Sequence, residues 1–248
     1  MKPIGQIGDK RMNIKAVIFD VGQTLIYYNN PLNWQSLYSP AIKQVLSALS
    51  HDYTNEADEN AKKILTKYNT RVNYREHEVT SDIIFSEILN SWQVNINDVN
   101  LQKAKEAFYG YFQRNAACFE DTEFVLQSLK HKGIKIGVLT DVAYGMDNKY
   151  ALKDINSIKK FIDVCLTSND VGYRKPNTAG FLLLQEALNV PSSQIACVGD
   201  EEKDVIGANN AGMISVLVNR SGEVKNFSQK YTVRSLTEFL NSVMYFQQ

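Results

Sequence analysis

Four short segments of this chain carry side chains suited to chemistry. The first is Asp20-Val21-Gly22-Gln23-Thr24, where a carboxylate closes the apolar run Ala16-Val17-Ile18-Phe19. The second is Val138-Leu139-Thr140-Asp141, and the third is Gly172-Tyr173-Arg174-Lys175-Pro176. The fourth is Gly199-Asp200-Glu201-Glu202-Lys203-Asp204. A carboxylate is already ionised at neutral pH and can attack an electrophile without a base. A hydroxyl with backbone N–H groups at a strand end suits a developing oxyanion. A lysine neutralises such a centre as a point charge. Clustered carboxylates offer the hard oxygens that Mg²⁺ takes.

These segments need a frame that brings them together. Residues 15–20 form a short run rich in β-branched residues, as in a buried strand. Further strands are expected at 134–139, 161–166, 194–198 and 214–218. Helices are expected at 122–132, 147–159, 179–189, 205–211 and 235–244. Strand and helix alternating in this way predict an α/β fold, a Rossmann-like parallel sheet with helices on both faces. In such sheets ligands bind outside the carboxyl ends of the strands, and there the four segments converge.

Residues 32–117 differ in texture. Ile42, Val45, Leu46 and Leu49 follow helical spacing. Residues 56–68 are good helix formers. Thr80 and Ser81 are suited to cap a helix over 82–92, and a fourth helix is expected over 99–112. Four helices without a strand predict a bundle inserted after the first strand. The expected division is a core of residues 1–28 and 118–248 around a helical domain of 29–117, with residues 1–12 a loose leader.

On these motifs, in this order, the chain resembles the haloacid dehalogenase-like (HAD) hydrolases over nearly its whole length. The helical insertion is similar to the family's all-helical cap. The resemblance implies a Mg²⁺-dependent phosphatase acting on a small phosphorylated metabolite through an aspartyl-phosphate. It implies Asp20 as nucleophile, with Thr140 and Lys175 on the phosphate and Asp141 and Arg174 as further substrate contacts. Asp20, the backbone carbonyl of Gly22, Asp200 and Asp204 would hold the metal, with Glu201 as an alternate ligand.

Position 22 departs from the family. Its phosphatases carry a second aspartate two residues after the nucleophile, which protonates the leaving oxygen and later activates water. Gly22 has no side chain for either task. General acid–base catalysis contributes about 10²–10⁴-fold, so slow turnover of alkyl phosphates is expected. Asp141, Asp170 and residues of the insertion are candidate substitutes. One alternative function is a catalytically weak protein that binds Mg²⁺ and a phosphorylated ligand. Another is metal-independent 2-haloacid dehalogenation. That chemistry relies on an arginine early in the insertion, yet no arginine lies between Arg11 and Arg71.

Composition narrows the function classes further. The chain has 248 residues with 27 Lys plus Arg balancing 27 Asp plus Glu. Nucleic-acid binding requires an excess of cations, so no such partner is expected. No apolar run approaches 18 residues, so no membrane span is expected. Cys118, Cys165 and Cys197 are far apart and form no CxxC pair. With no secretory leader, they fit a cytoplasmic monomer or homodimer.

Overall fold

The computed structural model describes residues 13–28, 34–113 and 116–244; the leader expected at 1–12 lies outside them. Strand β1 (Ala16–Phe19) is buried along its whole length. Two short strands, β2 (Ile26–Tyr28) and β3 (Ala116–Cys118), pair antiparallel as a separate ribbon. The rest are β4 (Lys135–Thr140), β5 (Val164–Thr167), β6 (Ile195–Gly199), β7 (Ile214–Val218) and β8 (Tyr231–Val233). The main sheet has the order β5-β4-β1-β6-β7-β8, and its pairings are all parallel.

This order positions the site. After β1 the chain builds β4 and β5 on one side, then returns to build β6, β7 and β8 on the other. The reversal leaves a crevice beyond the carboxyl end of β1, where doubly wound sheets bind ligands. Phe19 is in register with Val138 on one side and Val198 on the other. Asp20, Thr140 and Asp200 therefore leave the sheet at one edge.

Helices α1 (Trp34–Ala48), α2 (Asn55–Tyr68), α3 (Ser81–Ser91) and α4 (Asp98–Phe112) pack around a second apolar core. Leu46, Leu65, Phe85 and Phe108 are fully buried there. The caps of α2 and α4 are visible in the sequence: Thr54 accepts from Ala57 N and Asn97 from Asn100 N. At Thr80, the expected cap of α3, no side-chain bond forms. Around the sheet lie α5 (Thr122–His131), α6 (Asn148–Ala151), α7 (Ser168–Val171), α8 (Ala179–Leu188), α9 (Glu202–Asn210) and α10 (Leu236–Phe239).

Several expectations are corrected. The helix expected over 147–159 reduces to the single turn of α6, followed by turns and a 3₁₀ turn at Lys159–Phe161. Tyr150 is buried in the helical core, whereas Ile155 and Ile158 are buried in the sheet core. One straight helix cannot serve both, and Asp154, Asn156 and Ser157 weaken it further. The strand expected at 161–166 begins at Val164, because the 3₁₀ turn takes Phe161. The closing helix becomes α10 plus a π-turn over Leu240–Met244. β2, β3, α7 and β8 are additions, each too short for a periodic signal. Among the described residues no helix is long and apolar enough to cross a membrane.

The helices and the sheet edge are joined by a segment of β4's exit. Val142, Tyr144 and Met146 are buried in the helical core. Gly145 has φ +62°, and a Cβ there would stand 2.1 Å from the Val79 carbonyl. Tyr109 donates to the Tyr144 carbonyl at 2.8 Å. Lys105, 7% exposed, reaches Asp82 at 2.6 Å and Asp147 at 3.1 Å.

Candidate functional site

Asp20 follows β1 directly, and its amide donates to the Val198 carbonyl at 2.9 Å, fixing it at the sheet edge. Lys175, 4% exposed, sends its ammonium to Asp20 Oδ1 at 2.6 Å. The same nitrogen stands 2.6 Å from Asp204 Oδ1 and 3.2 Å from the Leu139 carbonyl. Asp204 lies in the first turn of α9 and accepts from Glu201 N at 3.0 Å. Gly199 makes that possible: a Cβ there would sit 2.4 Å from the Asp204 carboxyl. The glycine ending β6 thus lets Asp204 fold back against the strand end.

Asp20, Asp200 and Asp204 each present a carboxylate oxygen within 4.8 Å of the others. Burial first, then Asp204, pushes Asp20 up to about 6 against the pull of Lys175. Asp200 is pushed up to about 8 by burial, then by Asp20, Asp204 and Glu201. Its carboxylate receives a hydrogen bond from Thr24 Oγ1 at 3.3 Å. Burial alone would lower Lys175, but Asp20, Asp204 and Asp141 hold its ammonium well above the ordinary lysine range. The set fits a hard divalent cation: the ammonium of Lys175 pairs with Asp20 and Asp204 and leaves Asp200 without a salt bridge among the described residues, and buried Asp204 Oδ1 has no well-aligned hydrogen bond.

The other expected residues occupy different positions. Thr140 and Gly22 line a cavity of about 180 Å³ together with Asp20 and Asp200. At Gly22 a Cβ would meet nothing within 4 Å. Asp141 accepts from the Lys175 amide at 3.1 Å and pairs with Lys203 at 3.0 Å. Burial works to raise Asp141, but Lys175, Lys203 and Arg174 outweigh it and hold the carboxyl low. Glu201 turns from the three-carboxylate cluster to Lys203 at 2.8 Å and Arg71 at 3.3 Å. Asp170 is bound into the capping box of α7 with Thr167.

Arg174 is 6% exposed and lies between the sheet edge and the helical layer. Its guanidinium contacts the buried carboxylate of Glu78 and donates to the Val142 carbonyl at 2.8 Å. Ser168 donates to Glu78 at 2.6 Å. Backbone bonds Glu78 N–Gly172 O and Arg174 N–Glu76 O, at 2.9 and 2.8 Å, complete this seam.

Sequence reasoning assigned no role to three groups here. Lys203 places a second ammonium beside Asp141; its position on the first turn after Asp200 was the available signal. Arg71 lines both the 180 Å³ cavity and a larger one of about 640 Å³ that Tyr74, Phe227 and Lys225 also line. Tyr28 and Asp154 form the third, with Tyr28 Oη donating to Asp154 Oδ2 at 2.9 Å. No spacing in the sequence joins that pair.

A parallel sheet with an acid–lysine centre at its switch point, beneath a helical layer, is the architecture of one hydrolase class. Residues 17–218 match the haloacid dehalogenase-like hydrolases, and the chain belongs to that family. It is 25% identical over 227 residues to the pyrophosphatase PpaX of Bacillus mycoides, covering 89% of this chain and 90% of that protein. A HAD phosphatase from Thermococcus onnurineus has a similar structure, with TM-score 0.64 and 23% identity over 93% of this chain and 98% of that one. A 2-haloacid dehalogenase from Pseudomonas syringae pv. Tomato is similar too, with TM-score 0.66 and 20% identity over 94% and 99%. Both structural likenesses define the fold and leave the reaction to the residues.

Proposed function

We propose that the protein is a Mg²⁺-dependent phosphatase of small phosphorylated metabolites, working through an aspartyl-phosphate on Asp20. The observation that carries this reading is the single buried ammonium of Lys175 between Asp20 and Asp204. It favours the ionised form of Asp20 against the effect of burial and leaves a site rich in carboxylate oxygen for a cation. Asp20, Asp200, Asp204 and the Gly22 carbonyl would hold Mg²⁺. When bound, the ion supplies positive charge to the phosphoryl oxygens and orients them. The relative named as a pyrophosphatase supports phosphate as the group transferred.

In the first step an Asp20 oxygen attacks phosphorus, and the bond to the leaving oxygen breaks with its electron pair. Lys175 offsets charge at the nucleophile, and Thr140 lies on the cavity wall where a phosphoryl oxygen would be bound. Water then attacks the phosphorus, freeing phosphate and the Asp20 carboxylate. The four-helix unit serves as a cap that shields this centre from bulk water. The test is phosphate release from a panel of esters, in Mg²⁺ and in EDTA, for the wild type and Asp20→Asn. Release that requires both Mg²⁺ and Asp20 is expected. Equal release without either would refute the reading.

A second reading rests on Gly22. With no side chain beside the nucleophile, the protein would bind Mg²⁺ and a phosphorylated ligand with little turnover. The same panel separates the two, since this reading expects ligand-dependent melting shifts without phosphate release.

A further inference from the structure

A side chain at position 22 would have room, since a Cβ at Gly22 meets no protein atom within 4 Å. A cavity of about 180 Å³ is walled by Asp20, Gly22, Asp200, Thr140, Tyr28 and Asp154. That space is large enough for water to stand among the groups that line it. Five carboxyls line it: Asp20, Asp141, Asp154, Asp200 and Glu201. Asp20 and Asp200 belong to the acidic cluster. Asp141 and Glu201 are tied to Lys203, and Glu201 also to Arg71. Among the described residues Asp154 forms no salt bridge, and it is held by the phenol of Tyr28. Burial raises Asp154 above the ordinary carboxyl range, opposed by hydrogen bonds from Tyr28 and Gln113 and by the charge of Lys153. A carboxyl that keeps its proton more readily than usual suits a general acid at neutral pH.

We propose, resting on the phosphatase reading, that Asp154 supplies the acid–base function that Gly22 lacks, with Tyr28 as its positioning residue. In the first step the leaving oxygen takes the carboxyl proton of Asp154, directly or through one cavity water. In the second, the attacking water gives its proton to the Asp154 carboxylate as its oxygen bonds to phosphorus and the bond to Asp20 breaks. One proton is lent and returned per turnover. Asp154 and Gly22 line the same cavity, so the carboxyl acts in the space shared with the nucleophile.

The experiment compares kcat/KM for p-nitrophenyl, phenyl and glycerol phosphates with Mg²⁺. The variants are Asp154→Asn, Tyr28→Phe, Asp20→Asn and Gly22→Asp/Asp154→Asn. Asp154→Asn should lose about 10²-fold or more on glycerol phosphate, and less than about tenfold on p-nitrophenyl phosphate, whose leaving group needs no proton. It should also release one equivalent of nitrophenolate in a burst before slow turnover. Tyr28→Phe removes a bond that favours the ionised carboxyl, so the alkaline limb of kcat/KM should move to higher pH. Adding Gly22→Asp should restore glycerol phosphate turnover to Asp154→Asn. A merely structural role would lower the three substrates equally, and that result overturns the proposal. So does an unchanged Asp154→Asn beside an inert Asp20→Asn, which leaves the phosphatase reading standing. A wild type that releases no phosphate from any substrate, with or without Mg²⁺, overturns both.

Discussion

Replacing Asp200 with Asn should make the metal-free protein more stable at alkaline pH while removing its response to Mg²⁺. The carboxylate oxygens of Asp20, Asp200 and Asp204 lie within 4.8 Å of one another, and at that limit two unit charges at an effective dielectric of 20 repel by about 3.5 kcal/mol. Asp200 faces two such neighbours, Asp20 and Asp204. Lys175 stands 2.6 Å from each of those two and is already committed to them. Allowing for its residual attraction and for solvent, roughly 2–3 kcal/mol of repulsion is relieved by Asp200→Asn. For a chain of this size about 1 kcal/mol shifts the melting point by roughly 2–4 °C, so a rise of roughly 4–12 °C is expected at pH 9 in EDTA. The asparagine can still accept from Thr24, so the neutral side chain loses no partner.

The advantage depends on pH and on Mg²⁺. Asp200 has its folded pKa raised to about 8, above its ordinary value. Such a group contributes stability that is complete at acid pH and lost as pH rises through about 8. The advantage of Asp200→Asn should therefore fade by pH 5, where the wild-type carboxyl is itself neutral. In Mg²⁺ at about 100 times its dissociation constant, linkage adds about 2.7 kcal/mol to the wild type, and the variant gains less. Thermal melts at pH 5 and pH 9, with EDTA or Mg²⁺, check all the arms. A variant that melts below the wild type in EDTA at pH 9 would refute the reasoning. So would an equal Mg²⁺ shift in both proteins.

Three further outcomes follow from the packing. Lys175→Met should abolish Mg²⁺-dependent phosphate release and cost about 3–5 kcal/mol in urea unfolding at pH 8, because two buried carboxylates lose their shared ammonium. Arg174→Ala should destabilise by a similar 3–5 kcal/mol, since it strands the buried Glu78 between the helices and the sheet; Glu78→Gln/Arg174→Met should recover part of that in the same assay. Thiol alkylation followed by mass spectrometry at pH 8 should leave Cys165 and Cys197 slow to react, because burial pushes Cys165 up to about 11 and Cys197 higher still.

The sheet was legible where burial was two-sided. β1 lies between β4 and β6 and reads as an unbroken apolar run. β8 pairs only with β7 and has three residues, one of them exposed, so its sequence resembles a loop. The ribbon of β2 and β3 was illegible for the same reason. Its strands lie far apart in sequence and flank the chain's departure into α1 and return from α4. At the site, Asp20, Lys175, Asp200 and Asp204 were findable because each follows a readable strand or its exit loop. Arg174 was not readable in the same way, because its partner Glu78 lies between α2 and α3 and a sequence shows no such contact. Asp154 was hidden by a segment that reads as one helix but divides its apolar residues between two cores.

That division bears on where an acid–base group works best. A carboxyl at position 22 would add a fourth negative charge beside Asp20, Asp200 and Asp204, and its proton affinity would change with the charge of the cluster. Asp154 lines the same cavity, but its strongest influences are burial and the Tyr28 hydroxyl, with neither Asp20 nor Asp200 among them. Coulomb coupling weakens with separation and with intervening water. The alkaline limb of kcat/KM in the wild type should therefore hold its pH as Mg²⁺ is raised from limiting to saturating. In Gly22→Asp/Asp154→Asn, where the acid sits beside the cluster, the same limb should move to lower pH as Mg²⁺ binds, because the cation favours the ionised carboxyl. Parallel shifts in the two proteins would place the acid of the wild type inside the metal cluster and exclude Asp154.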